Sequence, residues 1–246
     1  MSDGRERQVI DTFLALTDTL VHDFDALDTL TMLTERCVDL LDVHAAGVIL
    51  ADGQGGLSVA ATSSERARLL EVFAVAIDAG PCLDCLQTGA PVYSEDLRSP
   101  GARERWPRYA QGAEDAGFRA THALPMRLRD EVIGVLTLLH TDRHTLSDAD
   151  ARLGQALADA ATIGLLHERA VRRAETVQEQ LQSALNSRVV IEQAKGVVAG
   201  TADIDPEDAF ARLRHHARGR GIRLTDLARG VVERTIDVTT IGRVEH

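Results

Sequence analysis

Cysteine is scarce in this chain of 246 residues, and three thiols, Cys37, Cys82 and Cys85, do not make a disulfide framework. No apolar run is long enough to span a bilayer, and no N-terminal segment joins the charged, apolar and cleavage regions of a signal peptide. A cytoplasmic protein with no membrane partner is therefore expected. No motif groups a nucleophile, a base and an orienting acid, so no catalytic residue is assigned and an enzyme is not expected. Proline is sparse as well, six in all. Residues 5–43 and 147–198 contain none, and both stretches read as helix.

What is present in excess is acid. The formal charge of −11 would oppose nucleic-acid binding if it were spread evenly. It is not: Asp11, Asp18, Asp23, Asp25, Asp28, Glu35, Asp39 and Asp42 crowd the front, while arginines cluster in the tail. A polyanion site should be local.

The tail begins with apolar residues at helical spacing, Val190, Ile191, Ala194, Val197 and Val198, and places Glu192, Gln193 and Lys195 on other faces. Gly200 and Thr201 are expected to end that helix. Asp205-Pro206-Glu207-Asp208 restarts one, with a cap, a proline pre-set for the first turn and acids where the helix dipole favours them. Its apolar side is Ala209, Phe210, Leu213 and Ala217; the other side carries Arg212, Arg214, His215, His216 and Arg218, with Arg220 and Arg223 beyond. Gly219 and Gly221 are expected to stop it. A third helix follows from Thr225, burying Leu227, Val231, Val232 and Ile236. Arginine presents a planar fork that bridges phosphate oxygens or stacks on an unpaired base, which single-stranded RNA loops offer. The alternative is a solvated face whose arginines pair with Asp203, Asp205, Glu207 and Asp208.

Across residues 187–227 the chain resembles the ANTAR domain, a three-helix RNA-binding module of bacterial transcription antiterminators. The resemblance rests on Arg188, Ile191, Ala194, Lys195 and Gly196 in the first helix, Ala209, Phe210, Leu213, Arg214 and Ala217 in the second, and Leu227 with Ala228 in the third. It implies an RNA site drawn from Arg188, Gln193, Ala194, Lys195, Gly196, Arg214, Ala217, Arg218 and Arg220. In it the small Ala194, Gly196 and Ala217 would let RNA approach. A helix-turn-helix reading duplex DNA would need basic residues opening the third helix, where Thr225 and Asp226 stand instead.

Upstream, Leu27, Leu30, Leu33, Cys37, Leu40 and Leu41 recur at helical spacing, with a break in the helix expected around residues 22–25. Two β segments, 45–51 and 57–61, flank a glycine-rich turn. A helix is expected over 64–79, then the Gly80-Pro81-Cys82-Leu83-Asp84-Cys85-Leu86 turn, an edge strand at 91–93, and a helix over 103–117 interrupted at Pro107. Strands at 120–127 and 132–139 follow, around an Arg129-Asp130 turn.

This order, with His122-Ala123-Leu124-Pro125-Met126 and Glu131-Val132-Ile133-Gly134-Val135-Leu136 as its paired strands, resembles a GAF domain; the GPCLDCLQTGAPV segment looks like that of actinobacterial GAF-ANTAR proteins. The resemblance implies a sensory module that binds a small molecule beside its sheet. The cyclic-nucleotide motif of some GAF domains is missing, and the sequence names no cofactor. Cys82 and Cys85 have the spacing of a redox or zinc pair, but a partly buried structural turn is the default reading. His122, His140 and His144 are the residues that could join them, although no metal site is assigned.

Beyond the last strand, Leu153, Leu157, Ala160 and Ile163 are expected to close the sheet. Ala170, Ala174, Val177, Leu181 and Ala184 then follow the alternating four-three spacing of a coiled-coil seam. The expectation is an α+β chain: a GAF-like antiparallel sheet with flanking helices over 1–165, a coiled-coil linker over 166–186 and a three-helix ANTAR bundle over 187–246. It would act as a homodimer on RNA hairpins in nascent transcripts.

Overall fold

The computed structural model describes residues 3–18, 25–52, 54–129 and 131–241. Residues 22–24 of the expected break at 22–25, and Gly53 and Asp130 of the two expected turns, lie outside them. Contacts divide the chain into two compact units, residues 1–170 and 171–246.

In the first unit, α1 (Asp3–Asp18) and α2 (Ala26–Leu41) precede β1 (Ala45–Ala51) and β2 (Leu57–Thr62). Asp25 caps α2, its carboxylate accepting from the Leu27 amide. Then come α3 (Glu65–Ile77), α4 (Pro81–Thr88), β3 (Val92–Ser94), α5 (Pro100–Arg105), α6 (Pro107–Asp115), β4 (Ala120–Leu128) and β5 (Glu131–His140). The five strands form one antiparallel sheet in the order β2-β1-β5-β4-β3. Both faces of β4 and β5 are covered, which is why these strands read as nearly unbroken apolar runs.

The two faces pack against different helices. Ala46, Val48, Leu124, Met126, Leu136 and Leu138 meet α2 and the start of α7 (Asp148–Ala202). Ala45, Ile49, Ala123, Val135 and Leu139 meet α3, α4 and α6. Residues 80–86, expected as a turn, instead run into a short helix: Pro81 at its first turn needs no amide donor there, and Gly89 closes it in the left-handed conformation.

The stripe of α7 that closes the sheet is Gly154, Leu157, Ala158, Ala161 and Leu165; of the expected Leu153, Leu157, Ala160 and Ile163, Leu157 alone belongs to its buried core. Ile163 is exposed and Leu153 and Ala160 only flank the core. Gly154 sets this rotation, because a methyl group there would stand 2.9 Å from Leu124 Cδ1.

The second unit is built from the end of α7, α8 (Pro206–Arg220) and α9 (Leu224–Val232), with a 3₁₀ turn at Val238–Thr240. Gly200 and Thr201 do not end the first of these helices, which runs on to Ala202; Gly219 likewise lies inside α8, and Gly221 (φ 66°) alone caps it. A helix tolerates one exposed glycine at a cost of about 1 kcal/mol, so glycine stops a helix only where the chain turns left-handed. Ile236 lies beyond α9, part-buried against the core.

Candidate nucleic-acid interface and sensory core

The tail core consists of Ala194 and Val198 from α7, Ala209, Leu213 and Ala217 from α8, and Leu227, Ala228 and Val231 from α9. Ala194 and Ala217 are therefore fully buried. Their small side chains let the helices approach one another. Gly196 is exposed, with open space where a side chain would project.

Burying Ala209, Leu213 and Ala217 turns Arg214 and Arg218 to solvent, one helical turn apart, with Arg220 following. Among the described residues none of Arg212, Arg214, Arg218 or Arg220 forms an ion pair, so the expected acidic partners do not engage them. Asp205 is occupied as the α8 cap, accepting from the Glu207 amide at 2.8 Å. Arg223 differs, paired with Asp226 at 2.8 Å. Lys195 is half-buried and bridges to Glu192 one turn earlier, while Arg188 and Gln193 are exposed on α7. Arg218 and Arg220 also sit in the last turn of α8, where the helix dipole favours cations.

The second feature lies in the first unit, beneath α3. Glu71 shares the buried stripe of Ala67, Leu70 and Ala74, and its carboxyl is completely enclosed. Burial pushes it up to about 7, opposed by the smaller effects of the Thr137 hydroxyl and the Cys82 thiol. Tyr109 is equally buried; burial first, then Glu71, pushes its phenol well above the ordinary range. The Glu71 carboxyl faces the Thr137 hydroxyl and the Cys82 thiol, and the Tyr109 hydroxyl faces Thr121, but none of these pairs closes to good hydrogen-bond geometry among the described residues. Buried polar groups so loosely paired are costly unless something else completes their hydrogen bonding. The signal was available in the sequence, since Glu71 is the one acid on an otherwise apolar helical stripe.

Cys82 and Cys85 sit on α4 over the same face, both buried and free. Burial raises both thiols, Cys85 to about 12 and Cys82 well above its ordinary value, the latter helped by Glu71. Neither is a ready thiolate. His122 and His140 lie two positions from Leu124 and Leu138 on their strands, share the face of those leucines, and so lie on the opposite face of the sheet from the two cysteines. Among the described residues no His, Cys, Asp and Glu side chains stand arranged to hold a metal ion.

Comparison with known proteins matches residues 25–165 to a GAF domain and residues 179–232 to an ANTAR domain. No curated protein matches the chain. Among solved structures, the GAF domain from a phosphoenolpyruvate-protein phosphotransferase of Coxiella burnetii is 15% identical with a TM-score of 0.53, over 68% of this chain and 98% of that one. The GAF domain from the Acinetobacter phosphoenolpyruvate-protein phosphotransferase is 16% identical with a TM-score of 0.51, over 70% and 98%. Free methionine-R-sulfoxide reductase from Neisseria meningitidis, solved in complex with its substrate, is 14% identical with a TM-score of 0.51, over 70% and 95%. Likeness at these identities concerns the fold alone. Among the described residues no helix is long and apolar enough to cross a membrane.

Proposed function

Because the chain belongs to the GAF family and carries an ANTAR domain behind that module, we propose that it is a signal-responsive, RNA-binding transcription antiterminator of the cytoplasm, without catalytic activity of its own. The observation that carries this reading is the pair Arg214 and Arg218, exposed on one face of α8 with no acid partner among the described residues. Unpaired arginines one turn apart are positioned to take phosphate oxygens and to stack on splayed bases. Arg188, Gln193 and Lys195 on α7 and Arg220 at the end of α8 complete the surface, and exposed Gly196 leaves room for the RNA chain. Bound hairpins are thereby held out of the competing terminator stem.

The GAF module supplies the signal. A small polar molecule that donates to Glu71 and accepts from Tyr109, Thr121 or Thr137 would complete the hydrogen bonding of the loosely paired groups beneath α3. Its binding biases the conformational equilibrium of the chain rather than driving a reaction. Two chains pair through the exposed stretch of α7, where Val177 and Leu181 are 53% and 61% exposed.

A redox reading through Cys82 and Cys85 draws less support, since both thiols are buried and raised. Duplex-DNA reading draws less still: α9 opens on Leu224, Thr225 and Asp226, and Asp226 engages Arg223.

The experiment is a cross-linked pull-down of the intact chain from cells, with the recovered RNA sequenced. Enrichment of paired hairpins overlapping terminators is expected. Recovery of DNA, or of RNA without hairpin enrichment, would overturn the reading.

A further inference from the structure

At the edge of the sheet a cavity of about 380 Å³ opens between β3, β4 and the first two turns of α7, with Tyr93, His122, Leu146, Asp148 and Arg152 among its walls. That volume is in the range of small-molecule sites, roughly 300–1,000 Å³. Tyr93 and His122 are partners across β3 and β4, with ring centroids 5.5 Å apart and planes tilted by 52°. They share the sheet face of Leu124, so the cavity is separate from the polar groups beneath α3. Its walls are tied together. The His144 amide donates to the Glu95 carbonyl at 3.1 Å, and the Ser147 hydroxyl accepts from the Asp150 amide at 3.1 Å, which fixes the first turn of α7.

Two independent observations mark the cavity as built for a ligand. The first is His122, which is 1% exposed. The His144 backbone faces its ring, yet among the described residues neither ring nitrogen closes a hydrogen bond of good geometry. A buried polar ring left in that state is costly, and packing alone would be served better by leucine, as at the neighbouring Leu124. The second is a pair of opposite charges that do not meet. Asp148 and Arg152 stand one helical turn apart with the acid first, the order that favours an ion pair along a helix. Among the described residues neither forms an ion pair. Both line the cavity instead, together with Glu95, whose nearest cation is the exposed Arg143 at 3.8 Å.

We propose that this cavity binds a small zwitterion of the free amino-acid class, with its carboxylate on Arg152, its ammonium on Asp148 and Glu95, and its side chain against Tyr93, Leu146 and His122. The guanidinium fork of Arg152 matches a carboxylate in two parallel hydrogen bonds. A ligand of one sign alone fits poorly: an anion meets the carboxylates of Asp148 and Glu95, and a cation meets Arg152. A molecule carrying both charges a few bonds apart satisfies both sides of the wall. Tyr93 offers an aromatic face to the carbon chain of the ligand, and a hydroxyl or amide at the end of that chain completes the hydrogen bonding of His122. Asp148 and Arg152 belong to the first two turns of the helix that runs on to Ala202, so occupancy favours the folded start of α7.

The test is calorimetric titration of the full chain with each free standard L-amino acid at millimolar concentration, repeated with the N-acetyl and the carboxamide forms of every one that binds. At least one free amino acid should bind, one per chain, and raise the unfolding temperature. Both blocked forms should bind roughly tenfold or more weakly, the measure of one charge-assisted hydrogen bond. Arg152→Gln and Asp148→Asn, both at exposed positions, should fold like the parent and lose affinity by a similar factor. His122→Leu should lower affinity while holding or raising the unfolding temperature of the free chain, which a merely structural histidine would not do. Binding by no free amino acid, or unchanged affinity in both Arg152→Gln and Asp148→Asn, would overturn the proposal. Weakening by only one of the two blocked forms would overturn the zwitterion in favour of an ion of one sign.

Discussion

Gly47 on β1 and Glu71 on α3 fit against each other, such that a methyl group on Gly47 would stand 3.1 Å from Glu71 Cγ. The sheet thus makes room for a carboxyl in a place that apolar neighbours fill elsewhere on α3. A buried acid kept in this way has measurable consequences.

The first is a pH dependence of stability. The folded Glu71 carboxyl titrates at about 7, against an ordinary 4.5. Between those values the folded chain holds a proton that the unfolded chain has released, so stability falls as pH rises through the window and the loss is complete above about 7. The raised value corresponds to about 3 kcal/mol. Denaturant midpoints of the full chain between pH 4.5 and 8 should show this decline, and Glu71→Gln should flatten it.

A second prediction separates packing from recognition in the tail. Ala217 is buried and Gly196 is open. Ala217→Leu should destabilise the tail by about 1–3 kcal/mol through overpacking. Gly196→Ala should stabilise α7 by up to about 1 kcal/mol while weakening RNA binding, because the new methyl occupies the path of the RNA chain. Thermal unfolding paired with an RNA-binding assay checks both. Retained affinity in Gly196→Ala would remove that residue from the interface.

The thiols offer a third. With Cys82 and Cys85 buried and raised, a disulfide-exchange reagent should label neither in the folded chain and both after denaturant is added. Rapid labelling of the native chain would restore the redox reading.

These residues also show how far the chain could be read before its structure. Strand positions and the Asp205 cap were legible, because alternation, glycine-bearing turns and capping side chains are local signals. The rotation of α7 was not: its buried stripe is decided by Gly154 against Leu124, a contact between residues thirty positions apart. In the tail, the exposed arginines followed from the apolar face of α8, whereas the complete burial of Ala194 and Ala217 depends on how closely three helices pack, which no local pattern gives. Nor could spacing tell that His122 and His140 leave the cysteines on the far side of the sheet, since that depends on strand register.

Pairing of chains through α7 gives a fourth prediction. Val177 and Leu181 lie in a stretch with no buried side chain from 170 to 186, and a single exposed helix of this length gains stability from a partner. The full chain should sediment as a dimer, and Val177→Glu with Leu181→Glu should sediment as a folded monomer. A wild-type monomer at micromolar concentration would contradict the seam.

The most direct test of the central claim is the affinity of the purified full chain for a two-hairpin RNA, measured across salt concentrations. Arg214→Ala and Arg218→Ala should each cost roughly 1 kcal/mol and make the dependence of log K on log salt shallower by about one. Lys195→Ala should show the same change in slope. Unchanged affinity and slope in all three variants, or tighter binding to duplex DNA than to hairpin RNA, would contradict it.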